Sequence, residues 1–148
     1  MPVCRILVIE DRQDSTDSLC RLLERLGQEL GIEVDCTQLV RKNVAAFQTA
    51  LAGWYIPGGE PADPNYAFDI TSLDLIFQAT PNMSQADGGA QLFAWLDQRD
   101  AVPNLGHLVV RSHQHSNLLE GRVGTYVHKE TTHEREQWRE LLDVHKRP

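Results

Sequence analysis

Four short apolar runs recur along the chain, and each breaks off at a polar residue. Arg5-Ile6-Leu7-Val8-Ile9 stops at Glu10 and Asp11, Phe68 to Leu73 at Asp74, His107 to Arg111 at Ser112, and Thr125 to His128 at Lys129. Runs of this length, rich in β-branched residues, predict strands. Between them the period changes. Leu19, Leu22, Leu23, Leu26 and Leu30 recur at helical spacing behind Asp14-Ser15-Thr16, which offers N-cap chemistry, and Gly31 stops the run. Ile32 to Cys36 alternates like a half-buried strand, and Val44, Phe47, Ala50 and Leu51 predict a second helix closing near Gly53. Leu92, Phe93, Trp95 and Leu96 predict a third, entered through Asp87-Gly88-Gly89. A terminal helix is predicted from Thr131 to near Val144, with Trp138, Leu141 and Leu142 on its inner side.

The order β-α-β-α favours an α/β protein with a parallel sheet. Between residues 55 and 66 stand Pro57, Gly58, Gly59, Pro61, Asp63, Pro64 and Asn65, a density of breakers that predicts an inserted surface loop without regular structure. A second irregular insertion is expected near residues 76–88. The connection from Ser112 to Gly121 is short for a crossover helix, so a single turn or none is expected there. No internal repeat or low-complexity segment is visible.

A length of 148 residues suits one buried core, so a single domain over residues 1–148 is expected. A formal charge of −7 argues against wrapping a nucleic acid, which draws on a basic face to displace counterions. The basic cluster His145-Lys146-Arg147 reads as a solvated helix end. Cys4, Cys20 and Cys36 are odd in number and hold no C-x-x-C pair, which implies reduced thiols and neither a disulfide framework nor a zinc cluster. The chain enters strand-like sequence at once, leaving no room for a signal peptide, and no apolar stretch approaches the roughly 20 residues that span a bilayer. A soluble, cytoplasmic protein with no membrane or nucleic-acid partner is expected.

If the four apolar runs are neighbouring parallel strands, Glu10, Asp11, Asp74, Ser112 and Lys129 meet at the carboxyl edge of one sheet, where open α/β sheets place ligands. Three carboxylates there repel one another and need a cation. Oxygen ligands of this kind suit Mg²⁺, which takes one or two carboxylates and keeps waters and phosphate oxygens for the rest. A carboxylate so held can attack a phosphoryl group, while the metal and a lysine neutralise the transferring charge and a hydroxyl bonds an oxygen. Histidines 107, 113, 115, 128 and 133 read as incidental or pH-sensitive surface groups and not as metal ligands. No Gly-x-Ser-x-Gly elbow or glycine-rich phosphate loop is present.

These residues resemble the receiver domain of two-component response regulators. "ILVIED" resembles its first strand and acidic pair, "FDITSLDL" its third strand ending in the phosphoacceptor, "LVVRS" its fourth strand, and "YVHK" its fifth strand ending in lysine. The resemblance covers nearly the whole chain and implies a flavodoxin-like, doubly wound, parallel five-stranded sheet of order 2-1-3-4-5. It implies a non-enzymatic regulator in which Asp74 accepts a phosphoryl group from a histidine kinase or phosphotransfer protein. Glu10, Asp11, Asp74 and the backbone carbonyl of Ile76 would hold Mg²⁺, Ser112 would bond the phosphoryl oxygen, and Lys129 would pair with it. Tyr126 stands at the switch aromatic. The chain departs from the family in an enlarged loop after Asp74, in Glu130 where a proline follows the lysine, in His113 after Ser112, and in the short fourth connection. It is expected to be a complete single-domain regulator.

The register of the third strand separates two readings. With Asp74 at its end the site is a phosphoacceptor; with Leu73 to Gln78 as the strand, Ala79 takes the acceptor position and the chain is a pseudo-receiver, a protein-interaction module only. A small metal-dependent phosphohydrolase is a third reading, distinguished by catalytic turnover.

Overall fold

The computed structural model describes residues 2–75, 77, 88–112, 124–129 and 131–146. Five strands form one parallel sheet: β1 (Val3–Glu10), β2 (Glu33–Val40), β3 (Ile70–Leu73), β4 (His107–Ser112) and β5 (Thr125–His128), in the order β2-β1-β3-β4-β5. The helices among the described residues are α1 (Gln13–Leu30), α2 (Val44–Ala52), α3 (Gly88–Gln98) and α4 (Glu134–Lys146). This is the doubly wound architecture the sequence predicts.

Alternation along the strands divides the core in two. Leu7 and Ile9 of β1, Leu73 of β3 and Leu108 and Val110 of β4 face α2 and α3, where they meet Phe47, Leu51, Leu92, Phe93 and Leu96. Ile6, Val8, Val109 and Val127 face the opposite way, onto Leu19, Leu23 and Leu26 of α1 and Trp138 and Leu142 of α4. The inner strands are covered on both sides, which is why β1 and β4 read as near-continuous apolar runs. The edge strand β2 is more exposed, and it runs to Val40, beyond the alternation that is visible only as far as Cys36.

α1 starts earlier than its candidate caps. Arg12 occupies the N-cap and makes no side-chain cap bond; Asp14 lies in the first turn, paired at 2.8 Å with Arg12, while Ser15 and Thr16 turn inward. Gly31 does end α1 as expected, in a left-handed conformation (φ 75°) that lets its N–H and that of Ile32 bond back to Gln28 and Gly27.

The loop over residues 55–66 lies at the amino edge of the sheet, and it is more ordered than its breakers suggest. Pro64–Tyr66 form one 3-10 turn capped by Asp63, and Tyr55 pairs with Pro61 in an isolated bridge. The Tyr55 ring is wholly buried, with its hydroxyl donating to the Tyr66 carbonyl at 2.7 Å, and Trp54 stacks on Tyr66 with centroids 4.5 Å apart. Two aromatic anchors thus hold a segment whose backbone alone would not stay folded. The expectations for Ile76, the rest of the second insertion and the fourth connection lie outside the described residues, except that Gly88 and Gly89 belong to α3.

Candidate functional site

The carboxyl edge of the sheet gathers the five residues. Glu10 is the last residue of β1 and Asp11 follows it; Asp74 follows β3, Ser112 ends β4, and Lys129 follows β5. β3 is Ile70–Leu73, so Asp74 stands just past the end of the strand. Its N–H donates to the Ile9 carbonyl at 3.0 Å, which continues the β1–β3 ladder one step and brings Asp74 level with Glu10 and Asp11. From the other side, α3 closes on the same backbone: the N–H groups of Gly88 and Gly89 donate to the carbonyls of Phe77 and Leu75.

Glu10, Asp74, Ser112 and Lys129 are buried and Asp11 is half-buried. One oxygen from each of Glu10, Asp11 and Asp74 lies within 4.8 Å of the others. Lys129 Nζ sits between two of them, donating to Glu10 Oε1 and Oε2 at 3.0 and 2.8 Å and lying 3.5 Å from Asp74 Oδ2. The lysine is therefore committed more to Glu10 than to Asp74. Beside Ser112 and the half-buried Tyr126 lies a cavity of about 440 Å³ between β4, β5 and the start of α4.

A second buried cation was not singled out by sequence reasoning. Arg111, just before Ser112, points to the α1–α4 side, where its guanidinium donates through Nε and Nη2 to both carboxylate oxygens of Glu134 in the first turn of α4. Its Nη1 donates to Ser15 Oγ at 2.9 Å and lies 3.6 Å from Glu10 Oε2. Glu134 also accepts from Trp138 Nε1 at 3.3 Å. The available signal was a charge at a core-facing position of β4, since Val109 and Arg111 share a face.

The electrostatics are those of a crowded acidic site. Burial raises the Glu10 carboxyl above its ordinary value, the Asp74 charge raises it further, and Lys129 only partly offsets this. Burial also raises Asp11, with Glu10 adding to the shift. Among the described residues the oxygen donors fit a hard divalent cation: Glu10, Asp11 and Asp74 supply three carboxylates with oxygens close enough to share one ion. The expected fourth ligand, the carbonyl of Ile76, lies outside the described residues.

A carboxyl whose folded pKa exceeds its unfolded value stabilises the fold most below the unfolded pKa, and that contribution is lost as pH rises through the folded one. Thermal unfolding should therefore show a stability loss as pH climbs from the ordinary carboxylate range toward neutrality. Asp11→Asn should shrink the loss, and millimolar MgCl₂ at neutral pH should raise the wild-type melting midpoint. Equal pH profiles for wild type and Asp11→Asn would contradict this.

No model of a known protein family matches the chain, and no curated protein matches it in sequence. Solved structures do. A response regulator of red light signalling in R. palustris aligns over 97% of this chain and 90% of its own, at 19% identity and a TM-score of 0.53. A two-component transcriptional regulator AraC from Clostridium phytofermentans ISDg aligns over 96% and 90%, at 19% identity and a TM-score of 0.52. The pseudo-receiver domain of the CikA protein aligns over 98% of both chains at 16% identity with a TM-score of 0.49. The chain has the receiver fold, flavodoxin-like with strand order 2-1-3-4-5. Among the described residues no helix is long and apolar enough to cross a membrane.

Proposed function

We propose that the chain is a signalling receiver phosphorylated on Asp74 with the help of Mg²⁺. The observation that carries this reading is the meeting of Glu10, Asp11 and Asp74 at the carboxyl edge of the sheet, with the Lys129 ammonium set against Glu10 and Asp74. Mg²⁺ held by these carboxylates would supply charge neutralisation for the incoming phosphoryl group. An oxygen of Asp74 forms the new bond to phosphorus as the bond to the donor breaks, the donor being a phosphohistidine of a kinase or phosphotransfer protein, or a small acyl phosphate. Lys129, 3.5 Å from Asp74, exchanges its bond to Glu10 for one to a phosphoryl oxygen. Ser112 donates its hydroxyl to another. The cavity beside Ser112 and Tyr126 gives the aromatic ring room to follow that hydroxyl inward, so that a local charge becomes a changed surface for a protein partner.

One observation favours the rival reading, an interaction module that is never phosphorylated: Lys129 and Arg111 already lie on Glu10, so the site is partly neutralised from within. The rival predicts no Mg²⁺ binding and partner affinity indifferent to phosphodonor. Incubation with acetyl phosphate and MgCl₂, followed by intact mass, separates the two. One added phosphoryl group on wild type and none on Asp74→Ala is expected. No adduct on wild type, or equal labelling of Asp74→Ala, would favour the module.

A further inference from the structure

A buried arginine beside a site that needs a cation is an unusual neighbour. Arg111 is 3% exposed, and its guanidinium touches β1, α1 and α4 at once through Glu10, Ser15 and Glu134. Its Nη1 stands 3.6 Å from Glu10 Oε2, the same oxygen that accepts from Lys129 at 2.8 Å and from Ser15 at 3.4 Å. That oxygen is thus surrounded by groups that compete with any metal for it. Lys129 hangs on a flexible stem and has Asp74 as a second partner. Arg111 has no such latitude: both of its faces toward α4 are taken by the Glu134 carboxylate, and its Nη1 is held by Ser15. Its charge is a fixed feature of the site, present whatever Lys129 does.

We propose that Arg111 is a built-in counter-cation of the acidic cluster, a positioning residue that holds Glu10 and, by competing for its oxygen, weakens the site's affinity for a divalent ion. The inference rests on reading Glu10, Asp11 and Asp74 as a cation site. Its sign is what separates it from a merely structural role. If Arg111 only shapes the site, removing it should loosen Glu10 and weaken cation binding. If it acts as a counter-charge, removing it should strengthen binding.

The test replaces the ion pair as a unit, so that no charge is orphaned, and measures MgCl₂ binding by titration calorimetry. Arg111→Met with Glu134→Gln should bind Mg²⁺ several-fold tighter than wild type: the pair carries no net charge, but its cationic end faces the site, with Nη1 3.6 Å from Glu10 Oε2 while Glu134 lies on the Nε and Nη2 side. Arg111→Lys, which keeps the charge, should stay close to wild type. If the first pair fails to fold by circular dichroism, Arg111→Gln with Glu134→Gln replaces the ion pair by an amide hydrogen bond and carries the same expectation. Tighter binding by the neutral pair supports the proposal, including the case in which only the variant binds detectably. Equal or weaker binding than a wild type that does bind overturns it while leaving the cation site standing. No binding by either protein overturns both.

Discussion

Replacing Glu134 alone by alanine is expected to lower the unfolding free energy by about 3–5 kcal/mol, because it leaves Arg111 buried without its two-oxygen partner. Glu134 is 6% exposed and Arg111 3%, so neither end of the pair can turn to water where it stands. The indole N–H of the wholly buried Trp138 loses its acceptor in the same change, a further cost of about 1 kcal/mol or more for an unmet buried donor. One offset exists: Glu10 Oε2, 3.6 Å from Nη1, can take more of the guanidinium's charge. It cannot replace a two-point bond held from the α4 side, so the loss should remain a large share of a stability of about 5–15 kcal/mol. Replacing both members of the pair by uncharged residues should cost far less, since the desolvation of two charges disappears with their attraction. Urea unfolding of the three proteins checks this. A loss below about 1 kcal/mol for Glu134→Ala would mean that Arg111 finds another buried partner.

The contrast between Arg111 and the other site residues shows what a sequence can and cannot disclose here. Glu10, Asp74, Ser112 and Lys129 stand where apolar runs stop, and in a parallel sheet the end of a run is a place in space: the carboxyl edge. Their meeting needs the strand order as well, which the alternation of strands and helices leaves open and the resemblance to receiver domains implies. Arg111 lies inside such a run, and its partner Glu134 is 23 residues away on a helix whose rotation the leucine pattern does not set to one residue. The start of α1 is obscure for a related reason. Asp14, Ser15 and Thr16 all have capping chemistry, but Ser15 is drawn by a long-range contact into the Arg111 network and Thr16 Oγ1 donates to the Arg12 carbonyl one turn back, so neither is left to cap and local propensity does not fix the start. The 55–66 loop makes the same point from the other side. Its prolines and glycines do exclude long elements, yet Tyr55 and Tyr66, only an aromatic pair in sequence, are the anchors that fold it.

Gly89→Ala should damage both stability and the site, although alanine is the better helix former. A Cβ at position 89 would lie 2.2 Å from the Asp74 carbonyl oxygen and 2.6 Å from the Leu75 Cα. Both are backbone atoms at the end of β3, held by the bond from Asp74 N to the Ile9 carbonyl, so they cannot yield as a flexible side-chain tip would. Removing glycine from the interior of an exposed helix gains about 1 kcal/mol. Overpacking against fixed atoms costs about 1–3 kcal/mol and at times more. The second effect wins here because the overlap is more than an ordinary contact can absorb, and a net loss of about 2 kcal/mol is expected. The chemical consequence is larger. Relief of the clash must move α3 or the Asp74 backbone, and a shift of about 1 Å in a reacting group can cost about a hundredfold in rate. Labelling of Asp74 by acetyl phosphate should slow accordingly in the folded fraction. Gly53→Ala serves as the control, since Gly53 has φ −79° and a Cβ there would meet only the Ala50 carbonyl, at 3.5 Å. Loss of stability in Gly89→Ala with an unchanged labelling rate would mean that α3 supports the fold without setting the position of the acceptor.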